Sequence, residues 1–201
     1  MTQISIVQSK SKTIQATGPV TGAANNGSGA VRLTVVGHGL ESGDWVQVAG
    51  VGGVPAATGQ FQVAVIASST YDLIGSTFGG SFSSGGTSQH VGYSVVASLG
   101  SFDFLPTNST LVFLLQSAPT GASLRFVFED AGSSSFVDAM PVAAGSFAGA
   151  SSASCDRRWN SRYQDTPDWR LAELNDNLRL RLLWPLMTAG QVLTFSSWLE
   201  Y

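Results

Sequence analysis

The chain has 201 residues, with 10 Lys and Arg against 13 Asp and Glu, a formal net charge of −3 and a pI near 5.2. That balance gives no general electrostatic pull toward nucleic acid or an anionic membrane. Charged residues make up only 11% where about 25% is usual, but the 43% hydrophobic content argues for a packed core rather than disorder.

Residues 1–17 read as an N-terminal arm. The opening MTQISIVQSKSK is polar and lacks the apolar core of a signal peptide. No apolar run in the chain approaches the roughly 18 residues of a membrane helix, so no membrane span and assembly in a cytoplasm are expected. In the arm, Ile4 and Ile6 alternate with Ser5 and Val7, which predicts a docking strand. Such a strand is too short to stand alone and needs a partner in this chain or another.

Residues 18–90 form the next unit. TGPVTGAANNGSGA (17–30) is turn material. Val31–Val36 predicts a strand, and Gly37-His38-Gly39 breaks it. DWVQVA (44–49) alternates, and VGGVPAATG (51–59) is a loop. QFQVAVIA (60–67) puts Phe61, Val63 and Val65 on one face, and Thr70–Ile74 returns. FGGSFSSGGTSQ (78–89) is of low complexity and marks the boundary. His38 has no partner for metal binding or proton transfer nearby in sequence, so a side chain locking the corner is expected.

The run Val31–Gly86 resembles the small β-barrel-like repeat of many bacteriophage tail and virion-surface proteins. That repeat is often described by its likeness to the first catalytic cysteine half-domain of ubiquitin-activating enzymes. The pieces that carry the likeness are VRLTVVGHGLESGDWVQVAGVGG, GQFQVAVIASSTYDLIG and FGGSFSSGGT. The repeat has a His-Gly pair before the Leu or Phe and the Gly-Asp that start its next strand, matched here by His38, Gly39, Leu40, Gly43 and Asp44. The resemblance implies a fold and no chemistry, because the catalytic cysteine lies elsewhere in those enzymes. The chain also has no adenylation signature, P-loop or G-x-S-x-G elbow.

Residues 91–201 read as a β-sandwich. HVGYSVVASLGSFDF, TLVFLLQ, ASLRFVFED and SFVDAMPV predict strands, and 142–155 is small and mobile-looking. Thr166-Pro167-Asp168 starts a short helix ending near Asn175, since Thr caps, Pro suits the first position and Asp favours the positive end. NLRLRLLW (177–184) sets Leu178, Leu180 and Leu182 against Arg179 and Arg181, and Val192–Tyr201 is the last strand. The expected fold is all-β: a small N-terminal β-barrel-like module, then a β-sandwich or jelly-roll with one short helix. These strands are similar to β-sandwich domains of phage structural proteins, some of them like carbohydrate-binding sandwiches.

Charge is unevenly spread. Between Arg32 and Arg125 there is no Lys or Arg, while Arg157, Arg158, Arg162, Arg170, Arg179 and Arg181 follow Cys155. The single cysteine excludes an intrachain disulfide and a multi-cysteine zinc site, and its neighbour Asp156 disfavours a thiolate nucleophile. Glu129 with Asp130, or Asp165 with Asp168, are acids on turns, which are usually solvated rather than paired for sugar hydrolysis. Asp176 lies between two Asn without EF-hand spacing. No catalytic residue, metal or cofactor is therefore expected, and the chain is not read as an enzyme.

The densest constellation is Arg157, Arg158, Trp159, Asn160, Arg162 and Tyr163, followed by Trp169. It suits a protein interface, local packing with salt bridges, or a glycan site where rings stack and polar edges bind hydroxyls. Acidic neighbours weigh against nucleic acid. Trp184 and Trp198 fall on predicted strands and read as core. The expectation is a non-enzymatic structural component of a phage virion, a capsid decoration or tail-associated protein. Its partners would be other virion proteins, with a homo-oligomer in the particle assembled in the host cytoplasm. The alternative is a carbohydrate-binding or host-attachment protein that takes a host surface glycan.

Overall fold

A computed structural model describes residues 3–98, 110–117, 122–130, 147–150, 155–160, 177–184 and 187–200. Among these residues the chain is nearly all β, with one 3-10 turn at Pro55–Ala57 and no α-helix. The first strands are β1 (Gln3–Thr13), β2 (Gly18–Pro19), β3 (Gly22–Asn25), β4 (Val31–Thr34) and β5 (Asp44–Ala49). There follow β6 (Gly59–Ala67), β7 (Thr70–Leu73), β8 (Thr87–Ser98), β9 (Thr110–Ser117) and β10 (Ala122–Asp130). The last are β11 (Phe147–Ala150), β12 (Cys155–Asn160), β13 (Asn177–Leu183) and β14 (Val192–Glu200). The helix expected at 166–175 and the strand expected at 135–142 lie outside the described residues.

The small-residue stretch 142–155, expected as mobile loop, contains β11 and the first residue of β12. Ala148, Gly149 and Ala150 carry little strand signal of their own. Pairing with β10, Leu124 opposite Phe147 and Ala122 opposite Ala150, makes them a strand. Tertiary context overrides weak local propensity here.

The chain divides into two compact units, Met1–Thr13 with Val95–Leu186 and Gln191–Tyr201, and Ile14–Ser94 with Met187–Gly190. In the first, β1 and β14 are antiparallel neighbours, β8 lies beside β13, β9 pairs with β12, and β10 pairs with β11. These are four nested pairs, the outermost from the two ends of the chain and the innermost from its middle. Rolled up, they give the strand orders β1-β14-β9-β12 and β11-β10-β13-β8. That is the wrapping of an eight-stranded jelly roll. Strand β14 alternates as a one-face-covered strand must: Leu193, Phe195 and Ser197 are buried, while Val192 is exposed and Thr194 and Ser196 are half-buried. Leu182, Leu183 and Trp184 are buried too, as expected for Trp184. The register sets Glu129 opposite Arg179 across β10 and β13, opposite charges in facing positions.

The second unit is spliced between the roll's first and second strands. Its strand order is β8-β5-β6-β7-β4-β3, and β2 pairs with β8. The short segment 18–25 thus meets strands at both ends of that order, and the sheet curls into a half-barrel. The inward residues of β4, β5, β6 and β7 build the core: Val31 and Leu33, Val46 and Val48, Val63, Tyr71 and Leu73 are fully buried. Phe61, Val65, Phe78 and Phe82 pack against this cluster from its margin. Burying each such aliphatic side chain contributes about 1.5–3 kcal/mol against the entropy of ordering it. The half-barrel is therefore a core in its own right, carried on the roll's first connection.

Candidate interaction surfaces

The residues singled out for an interface are partly placed. Arg157, Arg158, Trp159 and Asn160 lie on β12, facing Phe113, Val112, Leu111 and Thr110 of β9 in register. Arg162, Tyr163 and Trp169 lie outside the described residues, as do Asp165, Asp168 and Asp176. Strand β12 is outermost in its sheet among the described strands. Consecutive charges at Asp156, Arg157 and Arg158 are a known device for blunting an edge against indiscriminate strand pairing.

Ile4 and Ile6 lie on β1, which pairs with β14 of the same chain, Ile4 opposite Leu199. Register shifts between Ser5 and Val7 and between Val7 and Lys10 interrupt that ladder, and Ser9 takes a positive φ of 23°. The Ser9 amide donates to Ser196 Oγ at 3.1 Å, which fastens the irregular turn. Bulges of this kind twist an outer strand away from neighbours.

Within the half-barrel the polar groups that could do chemistry are committed to structure. His38 sits between Gly37 and Gly39, whose φ values of 64° and 60° let the chain turn sharply on either side of it. Its Nδ1 accepts from the Leu40 amide at 3.0 Å, and Nε2 lies 2.9 Å from the Ala67 carbonyl. The ring stands edge-on to Tyr71, 5.1 Å between centroids. His38 thus ties the corner after β4 to the turn between β6 and β7. His90 is also buried: Nδ1 accepts from the Gln15 amide at 3.1 Å, and Nε2 faces the Gly92 carbonyl at 3.0 Å and Asp44 Oδ2 at 3.5 Å. With Nδ1 taken by a backbone donor, this Asp-His pair has no acceptor to offer a nucleophile. Among the described residues, no group of three or more His, Cys, Asp or Glu is placed to hold a metal ion.

Tyr71 is fully buried and donates to Ser88 Oγ at 2.6 Å. Burial pushes its phenol up to about 12, partly opposed by that hydrogen bond. On the outer side, Arg32 and Asp72 face each other across β4 and β7 and bond at 2.6 and 3.0 Å. The guanidinium holds the Asp72 carboxyl below its ordinary range, despite some desolvation, with Asn26 helping.

The register assembles one surface that the sequence does not announce. Gln47 of β5 faces Gln60 of β6 on one side and Gln89 of β8 on the other. In the next row Trp45 faces Gln62 and Gly92. Because Val46, Val48 and Val63 point inward, these residues lie on the opposite, outer face, where they form a patch of amides and an indole. The glutamines are far apart in sequence, so only strand pairing brings them together. Val36, on the turn after β4, and Ile66, near the end of β6, are also strongly exposed.

Compared with known protein families and with curated proteins, the chain matches none.

Proposed function

We propose that this protein is a non-enzymatic structural component of a phage virion, a capsid decoration or tail-associated subunit that acts by docking onto other subunits. The observation that carries this reading is the nested eight-strand wrapping with a second β module spliced into its first connection. Jelly rolls of this kind serve as viral capsid and lectin domains, a likeness of architecture rather than of site. The resemblance of Val31–Gly86 to phage virion modules supports it from the sequence side. So does the use of His38, His90, Tyr71 and Asp72 for holding the fold. The partners are capsid or tail proteins, with copies of this chain arranged in the particle assembled in the host cytoplasm. The test is mass spectrometry of density-purified particles from the source. Stoichiometric recovery in the particle supports the reading, and recovery only as a free monomer in the lysate overturns it.

The second reading is a carbohydrate-binding or host-attachment protein. Two observations favour it: the lectin use of the same architecture, and the uncharged row of Gln89, Gln47 and Gln60 beside Trp45. Glycan arrays on the whole chain decide between the sites. Loss of binding on Trp159→Ala assigns the ligand to β12, and loss on Gln47→Ala assigns it to the half-barrel face. No binding by the parent chain removes this reading.

A further inference from the structure

The corner between β3 and β4 carries the only Asn-Gly pair in the sequence, Asn26-Gly27. Gly27 is exposed, has a φ of +96° and has open space where a side chain would stand. With no Cβ, its backbone nitrogen is open to approach. We propose that Asn26 is a site of spontaneous amide-to-acid conversion, restrained by the folded corner and released when that corner opens.

The chemistry needs only the chain and water. The Gly27 nitrogen attacks Cγ of Asn26 and a C–N bond forms. The Cγ–Nδ2 bond breaks, and the side-chain nitrogen leaves as ammonia with the proton given up by the Gly27 amide. One water then opens the resulting cyclic imide at either carbonyl, giving aspartate or isoaspartate.

In the folded loop both reactants are tied down. The Gly27 amide, the nucleophile, donates to Asn25 Oδ1 at 2.8 Å. The Asn26 side chain, the electrophile, is held from both ends. Its Oδ1 accepts from the Ser28 amide at 2.9 Å, the Ser28 hydroxyl at 2.9 Å and the Ala30 amide at 3.0 Å, and its Nδ2 donates to Asp72 at 3.0 Å. The loop itself is anchored by Asn26 donating to the Ala30 carbonyl at 3.0 Å and Phe78 donating to the Gly29 carbonyl at 2.7 Å. Reaction requires the Gly27 amide and the Asn26 side chain to be released, which opening of the corner achieves, so its rate follows the population of the opened corner.

Conversion is also self-locking. The product replaces an amide donor with a carboxylate facing the Asp72 carboxylate, and Arg32 is the cation bonded there among the described residues. The corner then re-closes less readily, which leaves β3 loosened. A long-lived particle subunit would carry this as a record of its opening events.

Peptide mapping by mass spectrometry, resolving aspartate from isoaspartate at Asn26, tests this on the full chain. Three samples are followed: the folded chain, the chain in denaturing urea, and folded Asn25→Ala. Conversion is expected to be at least about tenfold faster in urea than in the folded chain. Folded Asn25→Ala, which removes the acceptor of the Gly27 and Gly29 amides, should fall between them, with near-ultraviolet circular dichroism reporting that it is folded. Equal rates in folded and unfolded parent chain would overturn the proposal whatever the variant does. So would a folded Asn25→Ala that reacts no faster than the parent.

Discussion

Tyr71 and Ser88 offer a sharp test of the half-barrel interior. Tyr71 is fully buried and its hydroxyl has Ser88 as partner at 2.6 Å, itself only 4% exposed. Removing one hydroxyl leaves the other buried without that bond, which costs about 1–3 kcal/mol, whereas removing both costs little more than either alone. Urea denaturation of Tyr71→Phe, Ser88→Ala and the double variant should therefore give a coupling of about 1–2 kcal/mol. The same phenol makes stability fall in alkali. The unfolded tyrosine loses its proton near 10.0, the folded one near 12, so between these values the unfolded chain binds fewer protons and gains. The contribution is fully present below 10.0 and shrinks by about 3 kcal/mol as the pH rises to about 12. Repeating the denaturation across that window should give a steeper loss for the parent chain than for Tyr71→Phe. Additive single costs together with parallel alkaline slopes would refute the placement of this pair.

Three further perturbations probe other parts of the molecule. His38→Ala removes the Nε2 bond to Ala67 that ties the corner to the end of β6 and the Nδ1 bond from Leu40 within the corner, and equilibrium denaturation should record a loss of about 2 kcal/mol. Asp72→Asn removes a carboxylate whose folded pKa is lowered, so its stabilisation is present above the ordinary carboxylate value of 3.8 and lost as the pH falls. Acid denaturation of that variant should be shallower than that of the parent. In the roll, Phe195→Ala empties a fully buried site and should cost about 3–5 kcal/mol by denaturant titration.

Much of the fold is legible locally. The alternation of DWVQVA and QFQVAVIA predicts β5 and β6: Asp44, Val46 and Val48 are buried in β5, and in β6 Val63 is buried with Phe61 and Val65 half-buried on the same face. The strands β9, β10, β13 and β14 are equally plain in TLVFLLQ, ASLRFVFED, NLRLRLLW and the final run. What local pattern does not carry is who pairs with whom. Gln3–Thr13 reads as an arm, yet its partner strand lies at the far end of the chain, where Ser9 and Ser196 meet across 187 residues. Strand β11 is hidden because Ala and Gly say little until a neighbour fixes them. The glutamine row has the same cause: Gln47, Gln60 and Gln89 become neighbours only through register. Of the proposed interface, Arg157 to Asn160 share one strand, an arrangement their contiguity already implies.

The architecture rests on the outermost pair of the nested set. Backbone nuclear Overhauser contacts across β1 and β14 measure it directly. Cross-strand contacts of Lys12 with Leu193 and Ile4 with Leu199 are expected, independent of protein concentration. Contacts of β1 with another strand of this chain, or contacts that vanish on dilution because β1 pairs with a second molecule, would contradict it.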